Sequence, residues 1–383
     1  MGLTPRFTHL SVRSSYSLRD GAIRPRELAA AAALKGMSHV ALTDRDGLYG
    51  AVRFAQACEV TGVRPVFGSD LALAPQDWPG WGLTRGGRST RYRISTPSRG
   101  PAWLEDDAPR VVLLARDQGG YGALCRAVSA AHAWTDDRGR FERASPHLAW
   151  EHATASTDGL VVLLGTESPF GRLIAAGRVD DAAAEARRWV EAFGRDQVVI
   201  GVRHHLERDD DVRTGRTVEL ADRLGLTAAA VNDVRYLEEQ DVVLADVLAC
   251  VRGQTAITAN NVGRRTAEGW LKSAIELSRI ALFRDRPDLL TNAQRIAESC
   301  AVDLGLNSTH VPRLTGLSDS EARHVLHTRC RVGIAQRFGG VTPKIEDRLV
   351  AELAMIDQLG LHDYFLTVAQ IVDGIRDMGV LCA

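Results

Sequence analysis

The sequence lacks the features that mark secreted, membrane-spanning and strongly basic proteins. Its six cysteines are scattered and none belongs to a C-x-x-C pair, which is typical of a reduced, cytoplasmic protein and excludes a disulfide scaffold or a zinc ribbon. No apolar run approaches the roughly 20 residues that a membrane span requires. Arginines interrupt the early apolar runs, so we expect no signal peptide and no membrane partner. The formal net charge is -1, so contact with DNA would depend on a local basic patch.

Short apolar runs alternate with alanine- and leucine-rich segments over roughly the first 240 residues. Each run is rich in Val, Ile or Leu, as expected of a parallel strand covered on both faces. The predicted strands are Thr8–Val12, His39–Thr43, Arg64–Phe67, Val111–Ala115, Leu160–Gly165, Val198–Val202 and Ala228–Val231. Predicted helices lie between them, among them Arg26–Lys35, which follows Pro25, and Asp180–Phe193. The alternation predicts a βα barrel or a doubly wound sheet.

The pattern becomes mainly helical from about residue 240. A chain of 383 residues is too long for one ordinary core, so we predict a first domain over 1–240 and a second, helical segment over 241–383. The predicted helices of the second segment are Asp241–Arg252, Leu289–Cys300, Ser318–Phe338 and Pro343–Leu359. Within the first domain, the stretches 75–109 and 138–157 lack periodicity and are predicted to be loops.

The stretch 75–109 is rich in Gly, Pro, Trp, Ser and Arg. Arginines alternate there with aromatic residues such as Trp78, a combination able to contact single-stranded DNA through phosphate pairing and base stacking. A solvated insertion explains the same composition and is the favoured interpretation. The candidate DNA-contacting residues are Arg85, Arg88, Arg91 and Arg93.

Several phrases occur in order along the chain. They are HLSVRSSYSLRDG (His9–Gly21), ALTDRDGLYGAVRFAQAC (Ala41–Cys58), RPVFGSDLAL (Arg64–Leu73), VVLLARDQGGYGALCR (Val111–Arg126), GLVVLLG (Gly159–Gly165), AVNDVRYL (Ala230–Leu237), WLKSAIEL (Trp270–Leu277) and LAMIDQLGLHDYFLTVAQIVDGIRDMGVLC (Leu353–Cys382). The series resembles the alpha subunit of bacterial C-family DNA polymerases (DNA polymerase III), from its PHP domain into the start of its palm. The wording LTDRDGLYGAVRFAQA and VFGSDL is most like the error-prone, translesion branch. The resemblance covers essentially the whole chain.

The resemblance implies an α/β fold: a distorted, TIM-like βα barrel of the PHP type, followed by a mainly helical segment. In metal-binding members of the family, His, Asp, Glu and Cys ligands gather where the strands end, because the loops after the strands of a βα barrel converge on one face. Divalent cations held there activate a water molecule that hydrolyses a phosphoester.

This sequence departs from that ligand set at most positions. Arginine replaces a histidine at Arg13, Arg45 and Arg235, and a guanidinium has no lone pair to offer a metal. Asp20 and Asp233 keep a ligand type. The positions that correspond to the family's ligands are Ser11, Arg13, Asp20, Arg45, Asp70, Arg110, Thr166, Asp233 and Arg235. The remaining carboxylates would hold at most one weakly bound magnesium ion, so we expect no cofactor in the PHP site.

The replacements suggest a charge swap, in which arginines pair with carboxylates that a metal cluster would otherwise neutralise. A buried carboxylate without a partner costs on the order of several kcal/mol, so such pairing would be a structural requirement. The predicted pocket comprises Arg13, Asp20, Asp44, Arg45, Asp70, Asp233 and Arg235. Two alternatives stay open: several of these arginines point into solvent, or the cluster binds phosphate.

The resemblance also implies a part in DNA replication and translesion repair synthesis, as a piece of a nucleotidyltransferase. Polymerisation requires palm carboxylates that bind Mg²⁺, and in the family these follow the stretch YFLTVAQIVDGIRDMGVLC, after which this sequence stops at Ala383. We therefore expect a split or truncated product that is inactive alone, with Mg²⁺ needed only by the full-length polymerase. DNA is the expected partner through that polymerase, and other replication or mutagenesis proteins are further candidates.

Three functional hypotheses compete. The first is a metal-free, structural PHP module of an error-prone polymerase. The second is a phosphoesterase or 3'-5' exonuclease that uses a reduced metal site, and histidines in place of Arg13, Arg45 and Arg235 would favour it. The third is a regulatory module that binds a phosphorylated ligand between its arginines.

Smaller features favour structural roles. His9 is predicted to be a core histidine with its polar atoms satisfied. His204 and His205 are adjacent, so their side chains should point apart, which favours a surface or capping role over a metal pair. The Gly119–Gly120 and Gly339–Gly340 pairs are predicted to be turns.

Overall fold

The computed structural model describes residues 6–74, 77–78, 108–133, 146–253, 256–258, 266–308 and 317–380. The chain divides into two compact units, Met1–Leu304 and Gly305–Ala383. Within the ranges given, no helix has both the length and the apolar character needed to cross a membrane.

The first unit is built on one six-stranded sheet whose strands lie in sequence order. The strands are β1 (His39–Arg45), β2 (Arg64–Ala72), β3 (Arg110–Ala115), β4 (Leu160–Leu164), β5 (Val198–Arg203) and β6 (Thr227–Val231). Six of the predicted strands are thereby confirmed. The expectation that all of them are parallel is wrong for β3, which is antiparallel to both neighbours. A strand buried on both faces is apolar throughout in either direction, so its composition does not reveal its orientation.

The first predicted strand instead forms an irregular segment that bridges the two outer strands of the sheet. Beside β1, the amide of Ala41 donates to the carbonyl of His9 at 3.0 Å, and that of Thr43 to Val12 at 2.8 Å. On its other side, Val12 forms an isolated parallel bridge with Val234, just beyond β6. The segment links the two ends of the sheet, so the sheet curls into the distorted, partly open barrel that the PHP resemblance implies.

Several helices of the first unit pack against this sheet. The helices of the first unit are α1 (Pro25–Leu34), α2 (Ala51–Thr61), α3 (Gln118–His132), α4 (Trp150–Thr154), α5 (Pro169–Ala175), α6 (Val179–Phe193), α7 (Asp210–Leu224), α8 (Val242–Gly253), α9 (Ala274–Ser278), α10 (Ala281–Asp285) and α11 (Asp288–Glu298). The predicted helices that correspond to α1, α6, α8 and α11 are confirmed. Helix α4 lies inside the stretch 138–157 that was predicted to be a loop, because five residues are too few to show a helical period.

The compact unit continues past residue 240, where the sequence pattern changes. Helix α11 packs against β6 and β1. The side-chain amide of Asn292 donates to the carbonyl of Ala228 at 2.8 Å, and the hydroxyl of Thr8 donates to the side-chain oxygen of Gln294 at 2.7 Å. Helix α11 follows residue 240 in the chain, yet it packs on the sheet of the first unit. The predicted boundary at residue 240 therefore marks a change of secondary structure inside this unit.

A buried aromatic cluster holds one end of the stretch 75–109. Trp78 is 3% exposed and stacks on Trp189 with a centroid distance of 6.2 Å. Both indole N–H groups donate to one carboxylate oxygen of Glu185, at 2.7 and 2.9 Å. Trp78 was grouped with the exposed aromatic residues of a DNA-contacting loop, and its burial corrects that interpretation.

The second unit contains α12 (Asp319–Phe338), α13 (Pro343–Leu359) and α14 (His362–Asp377), and the first two confirm predicted helices. The side chain of Ser318 caps α12 and that of Thr342 caps α13. Asp357 accepts hydrogen bonds from His362 at 2.8 Å and from His327 at 3.0 Å. These bonds fasten the three helices to one another at a single carboxylate, and they lower the pKa of Asp357 to about 2.

Gly119 and Gly120 lie in the first turn of α3, which corrects their prediction as a turn. Asp117 caps the helix by accepting a hydrogen bond from the amide of Gly120 at 2.8 Å. A Cβ atom at Gly120 would lie 1.9 Å from the carbonyl oxygen of Gly159. This position therefore requires glycine because two backbone segments meet there.

We expect Gly120→Ala to destabilise the first unit by about 3 kcal/mol, since the added methyl group overlaps backbone that has no room to move. Gly122→Ala in the same helix is the control. Its Cβ would meet only the end of the flexible Arg126 side chain at 3.4 Å, so it should be neutral or stabilise by up to ~1 kcal/mol. All seven tryptophans precede residue 305, so urea unfolding followed by tryptophan fluorescence reports on this unit. Equal stabilities of the two variants would contradict the predicted overlap.

Candidate functional site

Charged side chains meet at one edge of the sheet. The C-terminal ends of β1, β2, β4, β5 and β6 reach this edge. Strand β3 runs in the opposite direction and begins there, since Arg110 pairs in register with Ala72 at the end of β2. The reversed direction of β3 therefore places Arg110 beside the carboxylates that follow the other strands.

Arg13 lies at the centre of this group and is 4% exposed. Its Nη1 is 3.0 Å from Asp20 Oδ2, and its Nη2 is 2.6 Å from Asp70 Oδ2. Asp70 also pairs with Arg110, whose Nε lies 3.0 Å from Oδ1. Burial alone would lower the pKa of Arg13, but the carboxylates of Asp70 and Asp20 outweigh it and raise that pKa well above its usual value. Arg13 is therefore a fixed positive charge that bridges two buried carboxylates.

Asp20 is surrounded by three guanidinium groups. Besides Arg13, the Nη1 atoms of Arg235 and Arg252 lie 3.3 and 3.2 Å from Asp20 Oδ1. Burial alone would raise the pKa of Asp20, but Arg235 and Arg13, followed by Arg45 and Arg252, hold it far below its usual range. The carboxylate is therefore ionised at neutral pH.

Asp233 belongs to a neighbouring group of contacts. Its Oδ1 accepts a hydrogen bond from Ser11 at 2.8 Å, and its Oδ2 lies 3.1 Å from Arg203 Nη1. Asp233 has a φ of +44°, and Asp46, which pairs with Arg110 at 2.9 Å, has a φ of +51°. Such conformations are strained for residues other than glycine, and the surrounding ion pairs hold them in place.

Most of the predicted pocket is brought together, and Asp44 is the exception. Arg45 lies near Arg110 and Arg13, and its pKa is lowered by burial first and then by these two like charges. Asp44 differs from the prediction, because its carboxylate accepts hydrogen bonds from Ser14 and Ser17 at 2.7–2.8 Å instead of pairing with arginine.

Thr166, one of the positions that correspond to the family's ligands, does not contact the cluster. It lines a small separate cavity with Arg203 and Arg213. The next residue, Glu167, is the one that reaches the cluster, because the chain turns after β4 and directs the following side chain inward. Its carboxylate oxygens lie 3.5 Å from Arg13 Nη2 and 3.7 Å from Arg235 Nη2.

The prediction from sequence missed four members of the cluster. Asp46 and Glu167 are immediate neighbours of predicted positions, so their adjacency to Arg45 and Thr166 was an available signal. Arg203 directly follows the predicted strand Val198–Val202, a position that faces the site in a βα barrel. Arg252 lies at the end of α8, and no feature of the local sequence distinguishes it from a solvent-exposed helical arginine.

The donor set of this site does not fit a metal ion. The oxygens of Asp20 and Asp70 contact guanidinium groups at 2.6–3.3 Å, so a cation would have to displace buried Arg13 from between them. In the described part of the chain, no three His, Cys, Asp or Glu side chains are arranged to hold a metal. The expectation that no cofactor binds here stays a prediction that chemical analysis can test.

The histidines have structural partners. His9 is fully buried, its Nε2 lies 2.8 Å from the carbonyl oxygen of Lys272, and burial lowers its pKa to about 3. Its Nδ1 has no hydrogen-bond partner among the described residues, so the core position is confirmed but the prediction that all its polar atoms are satisfied is wrong. His204 contacts Asp211 at 2.9 Å, whereas His205 contacts the carbonyl oxygen of Asn232 at 2.9 Å. His204 is only 5% exposed, so it is buried rather than a surface residue, and the two rings contact different elements as adjacency predicts.

The candidate DNA-contacting residues Arg85, Arg88, Arg91 and Arg93 lie outside the described residues. The proposed contact with single-stranded DNA therefore stays a prediction.

We expect Asp20→Asn to destabilise the first unit by about 3 kcal/mol at pH 7, because it leaves three guanidinium groups around an uncharged side chain. The folded-state pKa of Asp20 is depressed, so its contribution is fully present above the unfolded-state pKa of about 3.9 and is lost as the pH falls below it. The difference from the wild type should therefore shrink below about pH 4. Urea unfolding by tryptophan fluorescence measures both effects.

Asp158→Asn, at an exposed position, is the control and should change stability by less than ~0.5 kcal/mol. If Asp20→Asn and this control have equal stabilities at pH 7, the arginines do not depend on Asp20.

Comparison with protein-family models identifies two segments of the chain. A model described as the PHP domain matches residues 9–205, more than half of the chain. A second model, described as the bacterial DNA polymerase III alpha NTPase domain, matches residues 324–383. The cluster described above is built mainly from the first of these segments.

Several curated proteins are similar to this chain over nearly its whole length. The error-prone DNA polymerase of Nocardia farcinica is 32% identical over 99% of this chain and 35% of that protein. The error-prone DNA polymerase of Symbiobacterium thermophilum is 30% identical over 98% of this chain and 33% of that protein. DNA polymerase III subunit alpha of Treponema pallidum is 29% identical over 94% and 29%. The chain spans about a third of the length of these relatives.

Solved structures resemble the chain only distantly. An amidohydrolase from Chromobacterium violaceum has a TM-score of 0.37 and 16% identity, over 60% of this chain and 87% of that one. This likeness is too low to support a functional argument. The matches in sequence show the family: the chain belongs to the PHP domain family, in the form found in bacterial DNA polymerase III alpha subunits and error-prone DNA polymerases.

Proposed function

We propose that this chain is the PHP-containing part of an error-prone DNA polymerase III alpha subunit, and that its PHP pocket is metal-free and structural. The observation that carries the proposal is Arg13, which occupies the space between Asp20 and Asp70 and contacts both at 3.0 Å or less. A guanidinium in this position supplies the positive charge that a metal cluster supplies in metal-binding relatives, and it adds a directional hydrogen bond to Asp20.

Such a pocket supports the fold rather than hydrolysis. Metal-assisted hydrolysis of a phosphoester needs a bound water whose pKa the cation lowers. Guanidinium groups remain protonated and have no open coordination position, so they do not activate water in this way. In contrast, ion pairs connect the segment that carries Arg13 and Asp20 to β2 and α8, and β2 in turn to β3. They hold four distant parts of the chain together.

The role in DNA synthesis rests on the similarity to polymerases. The proposed partners are DNA, bound through the full-length polymerase, and other replication or mutagenesis proteins. Mg²⁺ is the proposed cofactor of the palm only. Residues 241–383 contain no Asp-x-Asp motif, so the catalytic carboxylates of a palm are not recognisable within them.

A residual phosphoesterase or exonuclease activity is the alternative. Asp20, Asp70, Glu167 and Asp233 would be its ligands, because they are the carboxylates that face the pocket. That function would require the arginines to move away from these oxygens.

We expect the purified chain to contain far less than one equivalent of zinc or manganese, because its carboxylate oxygens are already paired with guanidinium groups. Inductively coupled plasma mass spectrometry after dialysis measures the metal content, and hydrolysis of bis(p-nitrophenyl) phosphate measures activity. The variants Asp20→Asn and Asp70→Asn distinguish the two sources of metal: they should lose a metal ion that is bound in the pocket and keep one that is bound elsewhere. Stoichiometric metal that both variants lose, together with hydrolysis, would sink the proposed metal-free state and favour the phosphoesterase.

We expect the 383-residue chain alone to show no template-dependent primer extension with Mg²⁺ and deoxynucleoside triphosphates. The physical reason is that no pair of palm carboxylates is available to hold the two metal ions of nucleotidyl transfer. A gel-based extension assay measures this, and an unrelated DNA polymerase added to the same mixture is the positive control. Extension by the chain alone would show that it contains a complete polymerase site.

A further inference from the structure

The charged cluster has an enclosed interior and an accessible mouth. In the interior, the side chains of Arg13, Asp20 and Asp70 are at most 5% exposed. At the mouth, the side chains of Arg235 and Arg252 are 32% and 30% exposed, and that of Glu167 is 37% exposed. A small solute therefore reaches the mouth from solvent without any opening of the fold.

Glu167 is held less closely than the other carboxylates of the cluster. Its contacts are 3.5 Å to Arg13 and 3.7 Å to Arg235, whereas the two closest contacts in the interior are 2.6 and 3.0 Å. Burial raises the pKa of Glu167, but Arg13, Arg235 and Arg45 overcome this effect and lower it well below the usual value. The carboxylate thus lies in a strongly positive potential while making only long contacts.

The arginines at the mouth retain hydrogen-bond donors. A guanidinium carries five N–H donors in a planar fork that matches phosphate oxygens. Arg252 directs Nη1 at Asp20, and its other nitrogens form no ion pair with the residues that the structure describes. Arg235 points Nη2 towards Glu167 at 3.7 Å, which is longer than a hydrogen bond.

We propose that the mouth of the cluster is a binding site for a phosphate group, which displaces the carboxylate of Glu167 and is bound by Arg235 and Arg252. Glu167 then acts as an internal occupant that holds the site closed in the absence of ligand. Phosphate fits better than a second carboxylate because it carries more charge and offers three or more oxygens to two guanidinium forks. The inference rests on the proposed metal-free pocket, since a metal at Asp20 would change the position of both arginines.

The test is a titration of the EDTA-treated 383-residue chain with inorganic phosphate, in which isothermal titration calorimetry measures the affinity. We expect Glu167→Gln to tighten phosphate binding by about tenfold, which corresponds to ~1.4 kcal/mol, because it removes the competing charge. Glu59→Gln, at an exposed position on α2, makes the same change of net charge and should leave affinity unchanged. Arg252→Ala should weaken binding by about tenfold or more. Arg187→Ala, an exposed arginine on α6, should have no effect.

Two oligonucleotides distinguish the sources of the phosphate group. If a terminal DNA phosphate is the ligand, a 5'-phosphorylated trinucleotide will compete with inorganic phosphate, and the same trinucleotide without the phosphate will not. If free phosphate is the ligand, neither trinucleotide will compete.

Equal affinity in the wild type, Glu167→Gln and Arg252→Ala, each shown to be folded by its unfolding midpoint, would overturn the inference. So would an absence of phosphate binding in all of them. A metal-free protein that binds no phosphate refutes only this inference, whereas stoichiometric pocket metal refutes the proposed function.

Discussion

The bridge that Arg13 forms between Asp20 and Asp70 is the interaction on which the charged edge of this protein depends. Arg13 follows the segment that links the two outer strands, Asp20 follows it in the chain, and Asp70 belongs to β2. One guanidinium therefore connects the segment that links the two outer strands to β2, inside the sheet. The other arginines extend this arrangement outward, through Arg110 to Asp46 and through Arg235 and Arg252 to Asp20. Removal of Arg13, Asp20 or Asp70 would leave an opposite charge buried without its partner, so these three residues depend on one another.

The direction of β3 decides which residues take part. Had β3 been parallel to its neighbours, Arg110 would lie at the far edge of the sheet, and Asp70 would have one arginine fewer. The antiparallel connection from β2 to β3 passes through the stretch 75–109, whose beginning is fixed by the burial of Trp78 against Trp189. The antiparallel direction of β3 thus determines both the topology of the sheet and the presence of Arg110 in the pocket.

Residue patterns predicted most helices and strands. They predicted a site residue only where a sequence motif aligned that residue with a ligand position of the family. Strands could be predicted from their apolar runs. Helix starts could be predicted from neighbouring residues such as Pro25 and Ser318. Arg13, Asp20 and Asp70 were found because ordered phrases align them with ligand positions. The partners of those residues were harder to find. Asp44 has an acidic side chain in the right phrase, but nearby serines satisfy it. Arg252 lies more than 200 residues from Asp20 in the chain, and only tertiary packing brings the two together. Glu167 replaced Thr166 because a turn shifted the inward-facing position by one residue.

The sharing of Asp70 between Arg13 and Arg110 has a consequence for any attempt to build a metal site in this pocket. Replacing either arginine alone by histidine would remove one positive charge from the buried carboxylate and would leave the other guanidinium in contact with it. A metal site would therefore require several of these positions to change together.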